Sequence, residues 1–168
     1  MKKLLVIFFL FGFLFLNNCS KNEKIEIVKI EEDKIEGQMI KAYQEGMVAF
    51  RERLYIDAAK KFNEAEILFP QSEWAPRSAL MAAYAYFYDD YNNRAISELI
   101  DFFKKYPNDP NMPYAHYLLA MAYYNKIIDE KKDLEPLKNS KKQFEYVVKN
   151  YPNTEFSLDS KFKLDLIN

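Results

Sequence analysis

Three stretches of the chain are versions of one pattern: AAKKFNEAEILFP (residues 58–70), AISELIDFFKKYP (residues 95–107) and SKKQFEYVVKNYP (residues 140–152). Each opens on a small residue, places apolar residues four and seven positions on, and closes on an aromatic–proline pair. The sets are Ala58, Phe62, Ala65 with Phe69-Pro70; Ala95, Leu99, Phe102 with Tyr106-Pro107; and Ser140, Phe144, Val147 with Tyr151-Pro152. Positions i, i+4 and i+7 share one face of a helix, so each stretch is an amphipathic helix. Proline then ends it, because it has no N–H and disfavours helical torsions in the residue before it. The leading small residue lets a neighbouring helix approach closely.

Each of these helices has an upstream partner. The apolar spacing predicts partners at about residues 38–53, 75–88 and 114–126, and a fourth helix from about Thr154 to the chain's last residues. Helix pairs recurring at roughly 34 residues resemble tetratricopeptide repeats. The expected fold class is therefore all-α: a tetratricopeptide-repeat helical-hairpin solenoid of about three repeats plus one further helix. Gly46, Ala83 and Ala120 fall at the small position of the three first helices. Ala58 to Ala95 is 37 residues, whereas Ala95 to Ser140 is 45. The extra eight lie inside the third repeat. That places an insertion at about 127–139, and its charges and Pro136 predict a protruding loop of the kind that often makes contacts.

The composition narrows the function. The chain has 168 residues, 24 basic and 25 acidic, for a net charge of -1. A protein that works by neutralising nucleic-acid phosphates carries a basic excess, so no nucleic-acid partner is expected. One Cys and one His exclude an internal disulfide and the four-ligand Cys/His zinc sites within one chain. Gly12, Gly37 and Gly46 are the only glycines, too few and too scattered for a glycine-rich phosphate loop. No cofactor and no metal site are expected. His116 sits mid-helix with no nucleophile in frame, and the acidic runs Glu31-Glu32-Asp33 and Asp89-Asp90 lack a ligand frame, so no catalytic residue is assigned.

Residues 1–18 read as an export signal. Lys2 and Lys3 precede Leu4–Leu16, a run apolar except for Gly12 and too short to span a bilayer. Cys19 ends the run, and Leu16-Asn17-Asn18-Cys19 resembles a bacterial lipobox, although Asn17 and Asn18 stand where small residues are usual. The resemblance implies lipidation at Cys19, and Ser20 in place of Asp implies delivery to the outer membrane. Residues 19–36 are then a lipidated tether, expected to be extended or disordered, with Ile25, Ile27, Val28 and Ile30 in brief alternation. Residues 37–168 are the repeat domain.

A lipobox, a tether and repeats ending in an aromatic–proline pair together resemble the outer-membrane protein assembly factor BamD family, the lipoprotein subunit of the β-barrel assembly machinery. Residues 69–124 and 143–167 carry the likeness, as does the insertion in the third repeat. It implies a non-enzymatic scaffold, anchored at the periplasmic face of the outer membrane. Its implied partners are other machinery subunits and unfolded outer-membrane proteins, whose C-terminal segments it would bind. The family has further C-terminal repeats, and contacts made by those do not carry over. The chain reads as a fragment or a shortened member, and its last helix should leave an apolar face around Phe156, Leu158, Phe162, Leu164 and Ile167.

In tetratricopeptide repeats the first helices line a concave face. Their groove positions fall on Ile40, Tyr43, Met47, Phe50 and Arg51; on Arg77, Leu80, Tyr84, Phe87 and Tyr88; and on Tyr114, Tyr117, Met121, Tyr124 and Asn125. Aromatic, Met and Arg side chains favour protein recognition. The expected peptide-binding set is Tyr43, Met47, Phe50, Arg51, Arg77, Tyr84, Tyr88, Tyr117 and Tyr124. The competing function is a periplasmic tetratricopeptide adaptor in Tol–Pal or peptidoglycan coordination, whose members typically have a coiled coil and no lipid Cys. An enzyme whose solenoid precedes a catalytic domain would need that domain elsewhere.

Overall fold

The computed structural model describes residues 22–127 and 133–167. Among these are seven helices and no strand: α1 (Asn22–Arg51), α2 (Tyr55–Leu68), α3 (Trp74–Tyr88), α4 (Asn92–Lys105), α5 (Met112–Tyr124), α6 (Glu135–Asn150) and α7 (Glu155–Ile167). The chain divides at Lys34–Ile35, and the second unit, from Ile35 on, is compact. Cys19 and residues 1–18, read above as an export signal, lie outside the described residues.

The second unit is the expected solenoid of helical hairpins. Consecutive helices pack on one another from α2 to α7, and the first helices α3, α5 and α7 also touch in series. The three aromatic–proline stops work alike. Phe69, Tyr106 and Tyr151 take φ of -142, -127 and -131°, extended values that the following proline imposes. The last N–H still closes on the helix, Tyr106 to Phe102 O at 2.8 Å and Tyr151 to Val147 O at 2.9 Å. Thr154 starts α7, its Oγ1 accepting from the Ser157 N–H at 3.2 Å.

The pattern's apolar positions form the core. Phe62, Ala65, Leu99, Phe102, Phe144 and Val147 are all buried, as are the leading Ala58, Ala95 and Ser140. Ser140 satisfies its hydroxyl by donating to Ala120 O at 3.1 Å. Ala79, Leu80 and Ala83 of α3 meet Leu99 and Phe102 of α4 and Leu118 of α5. Ala82 and Ala85, on the other side of α3, meet Phe62. Each large side chain of this kind contributes about 1.5–3 kcal/mol by leaving water. The repeats are also joined by a polar contact. Glu66, 6% exposed, accepts hydrogen bonds at 2.8 Å from Lys105 Nζ and from the Tyr106 hydroxyl.

Two sequence expectations are corrected. The tether is helical from Asn22 rather than extended. Its Glu, Lys and Ile are compatible with helix, no proline interrupts residues 22–51, and the brief alternation was too short to mean a strand. The protruding loop is shorter than 127–139, because Glu135–Asn139 already belong to α6. Pro136 lies in that helix's first turn, where a missing N–H costs nothing, and it is buried. Asp133 Oδ1 accepts from the Glu135 N–H at 3.0 Å and starts the helix. Residues 128–132 of the insertion lie outside the described residues.

Candidate functional site

One turn-by-turn face of α1 carries Ile40, Tyr43, Gln44, Met47, Val48 and Arg51, and with Trp74 of α3 it forms a groove of about 510 Å³. Spacings of three and four residues put these side chains on one side of the helix. Tyr43 is the floor's pivot. Its ring lies 5.3 Å from Phe62 on one side and 5.3 Å, edge-on, from Trp74 on the other. Burial pushes its hydroxyl above the ordinary tyrosine range, and the nearby Arg77 charge offsets part of that. Tyr43 therefore stays a neutral donor at physiological pH. Ile40 and Val48 are 37 and 43% exposed, so the groove presents bare apolar surface to solvent.

Arg77 lies over Trp74, with its Cζ 5.3 Å from the indole centroid. It lines a second hollow of about 450 Å³ together with Trp74, Glu73 and Asp109. Every ion pair among the described residues uses a lysine. Neither Arg51 nor Arg77 is in one.

The remaining expected groove residues fall into other clusters. Phe50 stacks on Tyr84 at 5.4 Å and 19°, and Tyr88 and Tyr55 close a four-ring group around them. Burial and then the neighbouring Tyr88 raise the Tyr84 pKa, while Tyr88 stays 52% exposed. Tyr117 packs against Phe144 and Phe156 and donates its hydroxyl to Asp159 Oδ2 at 2.7 Å. Tyr124 meets Phe144, and Lys163 Nζ sits 5.3 Å over its ring. Leu80 is 7% exposed and belongs to the core. Of the nine expected residues, Tyr43, Met47 and Arg51 share one groove, Arg77 flanks it, and five do not line it. Trp74 was missed. It is the chain's only tryptophan, four residues past a helix-ending proline and three before Arg77, which was the available signal.

His116 is enclosed by rings, Phe103 stacked at 4.2 Å and Tyr146 at 4.3 Å, with Nδ1 3.1 Å from Gln143 Oε1. Burial holds its pKa below the usual histidine value, against the opposing Gln143 contact. Its surroundings are those of a packing residue. Among the described residues no group of His, Cys, Asp and Glu is placed to hold a metal. No helix among them is long and apolar enough to cross a membrane.

The family model described as YfiO, outer membrane lipoprotein, matches residues 35–168. The chain belongs to this family. Among curated proteins it is 36% identical over 112 residues to the outer membrane protein assembly factor BamD of Caulobacter vibrioides, covering 67% of this chain and 37% of that one. It is 34% identical over 126 residues to BamD of Rickettsia prowazekii, covering 75% and 50%, and 30% identical over 130 residues to BamD of Neisseria meningitidis, covering 71% and 49%. The chain thus spans half or less of the length of these relatives. Among solved structures it is similar to the first tetratricopeptide-repeat domain of Spaghetti (RPAP3) bound to an HSP90 peptide, with a TM-score of 0.59 and 18% identity, covering 78% of this chain and 90% of that one. That likeness bears on the fold and bears out the repeat reading.

Proposed function

We propose that this protein is a non-enzymatic scaffold of outer-membrane protein assembly, lipid-anchored through Cys19 at the periplasmic face. It works with the barrel-forming subunit and other lipoproteins of the β-barrel assembly machinery. The observation that carries this reading is the family match over 35–168, with relatives named as assembly factors. The same match favours it over the Tol–Pal adaptor. The α1–Trp74 groove is its binding site for C-terminal segments of unfolded outer-membrane proteins. Three features support that role: solvent-exposed apolar surface at Ile40 and Val48, a preformed aromatic wall, and arginine without a carboxylate partner among the described residues. Such an arrangement suits an apolar segment that ends in a carboxylate. A transfer step calls for affinity in the micromolar range, about -8 kcal/mol or weaker.

Calorimetric titration tests the groove. The probe is a synthetic ten-residue peptide, alternating apolar and polar and ending in phenylalanine. Val48→Glu, on an exposed position, should leave the fold intact and weaken binding at least fivefold. Equal affinity for wild type and variant removes the groove from the mechanism. The anchor has its own test: Cys19→Ala should move the protein from the membrane to the soluble fraction, and unchanged membrane association sinks the assignment.

A further inference from the structure

The two arginines at the groove are not equivalent, and the difference sets a direction for the bound segment. Arg77 shares its hollow with two carboxylates, Glu73 and Asp109. An incoming anion there meets one positive and two negative groups, although Asp109 Oδ1 is already engaged by the Asn111 N–H and side-chain amide. The α1 groove, also lined by Trp74, has the opposite balance. Arg51 is the single charged residue lining the α1 groove, all else there being apolar, aromatic or the neutral Gln44. Arg51 is exposed and lies in the last turn of α1. Its guanidinium is free to form a charge-assisted, two-pronged contact. Arg77 instead lies over the indole of Trp74 and steadies that wall.

We infer that Arg51 receives the terminal carboxylate and that the segment runs along α1 from Trp74 towards Arg51. This rests on the peptide-binding reading of the groove. Ile40 to Arg51 is three turns of helix, about 16 Å at 1.5 Å per residue. An extended chain covers that in about five residues at ~3.3 Å each. The ligand class is therefore a C-terminal stretch of about five residues, extended and apolar on one face. Its last side chain lies near Met47 and its upstream end near Trp74. Arg77 is a positioning residue for Trp74 and does not read the carboxylate.

The chain's only tryptophan stands at one end of the groove, so its fluorescence follows binding directly. The same ten-residue peptide is compared as free acid and as C-terminal amide on wild type, Arg51→Gln and Arg77→Gln. Amidation should weaken wild-type binding about five- to tenfold. That ratio should fall to about one in Arg51→Gln and persist in Arg77→Gln, whose effect is an altered Trp74 spectrum. A nitrotyrosine quencher at the fifth residue from the C-terminus should quench Trp74 more than one at the last residue. Wild-type binding indifferent to amidation, an acid–amide ratio lost in Arg77→Gln but kept in Arg51→Gln, or stronger quenching from the terminal position each overturns the inference while leaving the groove as a peptide site. Absence of binding by any peptide overturns the groove reading itself, and the direction with it.

Discussion

Two glycines lie in the same helix, and alanine should stabilise at one of them and not at the other. At Gly46 a Cβ would lie 2.8 Å from both Cδ1 and Cε1 of Phe62 and 3.2 Å from Cγ. Carbon atoms in comfortable contact are ~3.5–4.0 Å apart, so the methyl intrudes by roughly 0.7 Å. Phe62 has no room to retreat. It is 0% exposed, walled by Ala58, Ala59, Ala82 and Ala85, and its ring meets Tyr43. Overpacking of this kind costs about 1–3 kcal/mol. Against it stands the helix-propensity gain of replacing glycine by alanine, about 0.5–1 kcal/mol. At Gly37 nothing lies within 4 Å of the same methyl, so only the gain remains. Gly37→Ala should stabilise by about 0.5–1 kcal/mol, and Gly46→Ala should be neutral to destabilising by about 2.5 kcal/mol. The propensity contribution cancels between the two, leaving a difference of about 1–3 kcal/mol that is packing alone. Urea unfolding followed by far-UV circular dichroism measures both, at unchanged m-value. Phe62→Ala removes Cγ, Cδ1 and Cε1 together, so the Gly46→Ala penalty should shrink by about 1 kcal/mol or more in that background. Gly46→Ala as stabilising as Gly37→Ala, with no coupling to Phe62, would refute the close approach of α1 and α2.

Ala95 is fully buried at the leading position of the second hairpin's second helix, so Ala95→Leu should lower stability by about 1–3 kcal/mol; an unchanged melting curve would shift the repeat register. Tyr106→Phe removes a hydrogen bond to the buried Glu66 that ties neighbouring repeats, and should cost about 1–3 kcal/mol in the same unfolding assay. His116 is the only histidine, and its folded pKa lies below its unfolded value. Its contribution is therefore complete above the unfolded pKa of about 6.5 and lost as pH falls through the folded value. Stability measured between pH 7 and 5 should decline in wild type more than in His116→Phe, and parallel curves would contradict the half-buried, ring-enclosed imidazole.

The helix stops were legible in the sequence because proline acts locally. Phe69, Tyr106 and Tyr151 each end a helix at the residue where the pattern says they must. The core positions were legible because a 3.6-residue period maps directly onto a helix face, and Phe62, Leu99, Phe102, Phe144 and Val147 are all buried. Pro136 misled for a related reason. The same residue that stops a helix also starts one, and only the hydrogen bond from Glu135 to Asp133 shows which. The charged run after Asn22 misled because composition alone does not separate a tether from a helix.

The candidate site divides along the same line. The sequence places aromatic, Met or Arg side chains at one-face spacing on each of α1, α3 and α5, because face membership depends only on spacing along one helix. Whether those side chains line open space or fill it depends on which rings of the next helix meet them. Phe50, Tyr84 and Tyr88 pack on one another with Tyr55, whereas Tyr43 leans on Phe62 and Trp74 and leaves Ile40 and Val48 exposed beside a half-buried Met47. The sharing of Trp74 by the Arg51 groove and the Arg77 hollow, and the presence of Glu73 and Asp109 in the Arg77 hollow alone, join residues from three different segments of the chain. No local periodicity encodes that meeting. On the groove side it depends on how closely α1 approaches α2, and that approach is closest where Gly46 has no side chain and Phe62 has a ring.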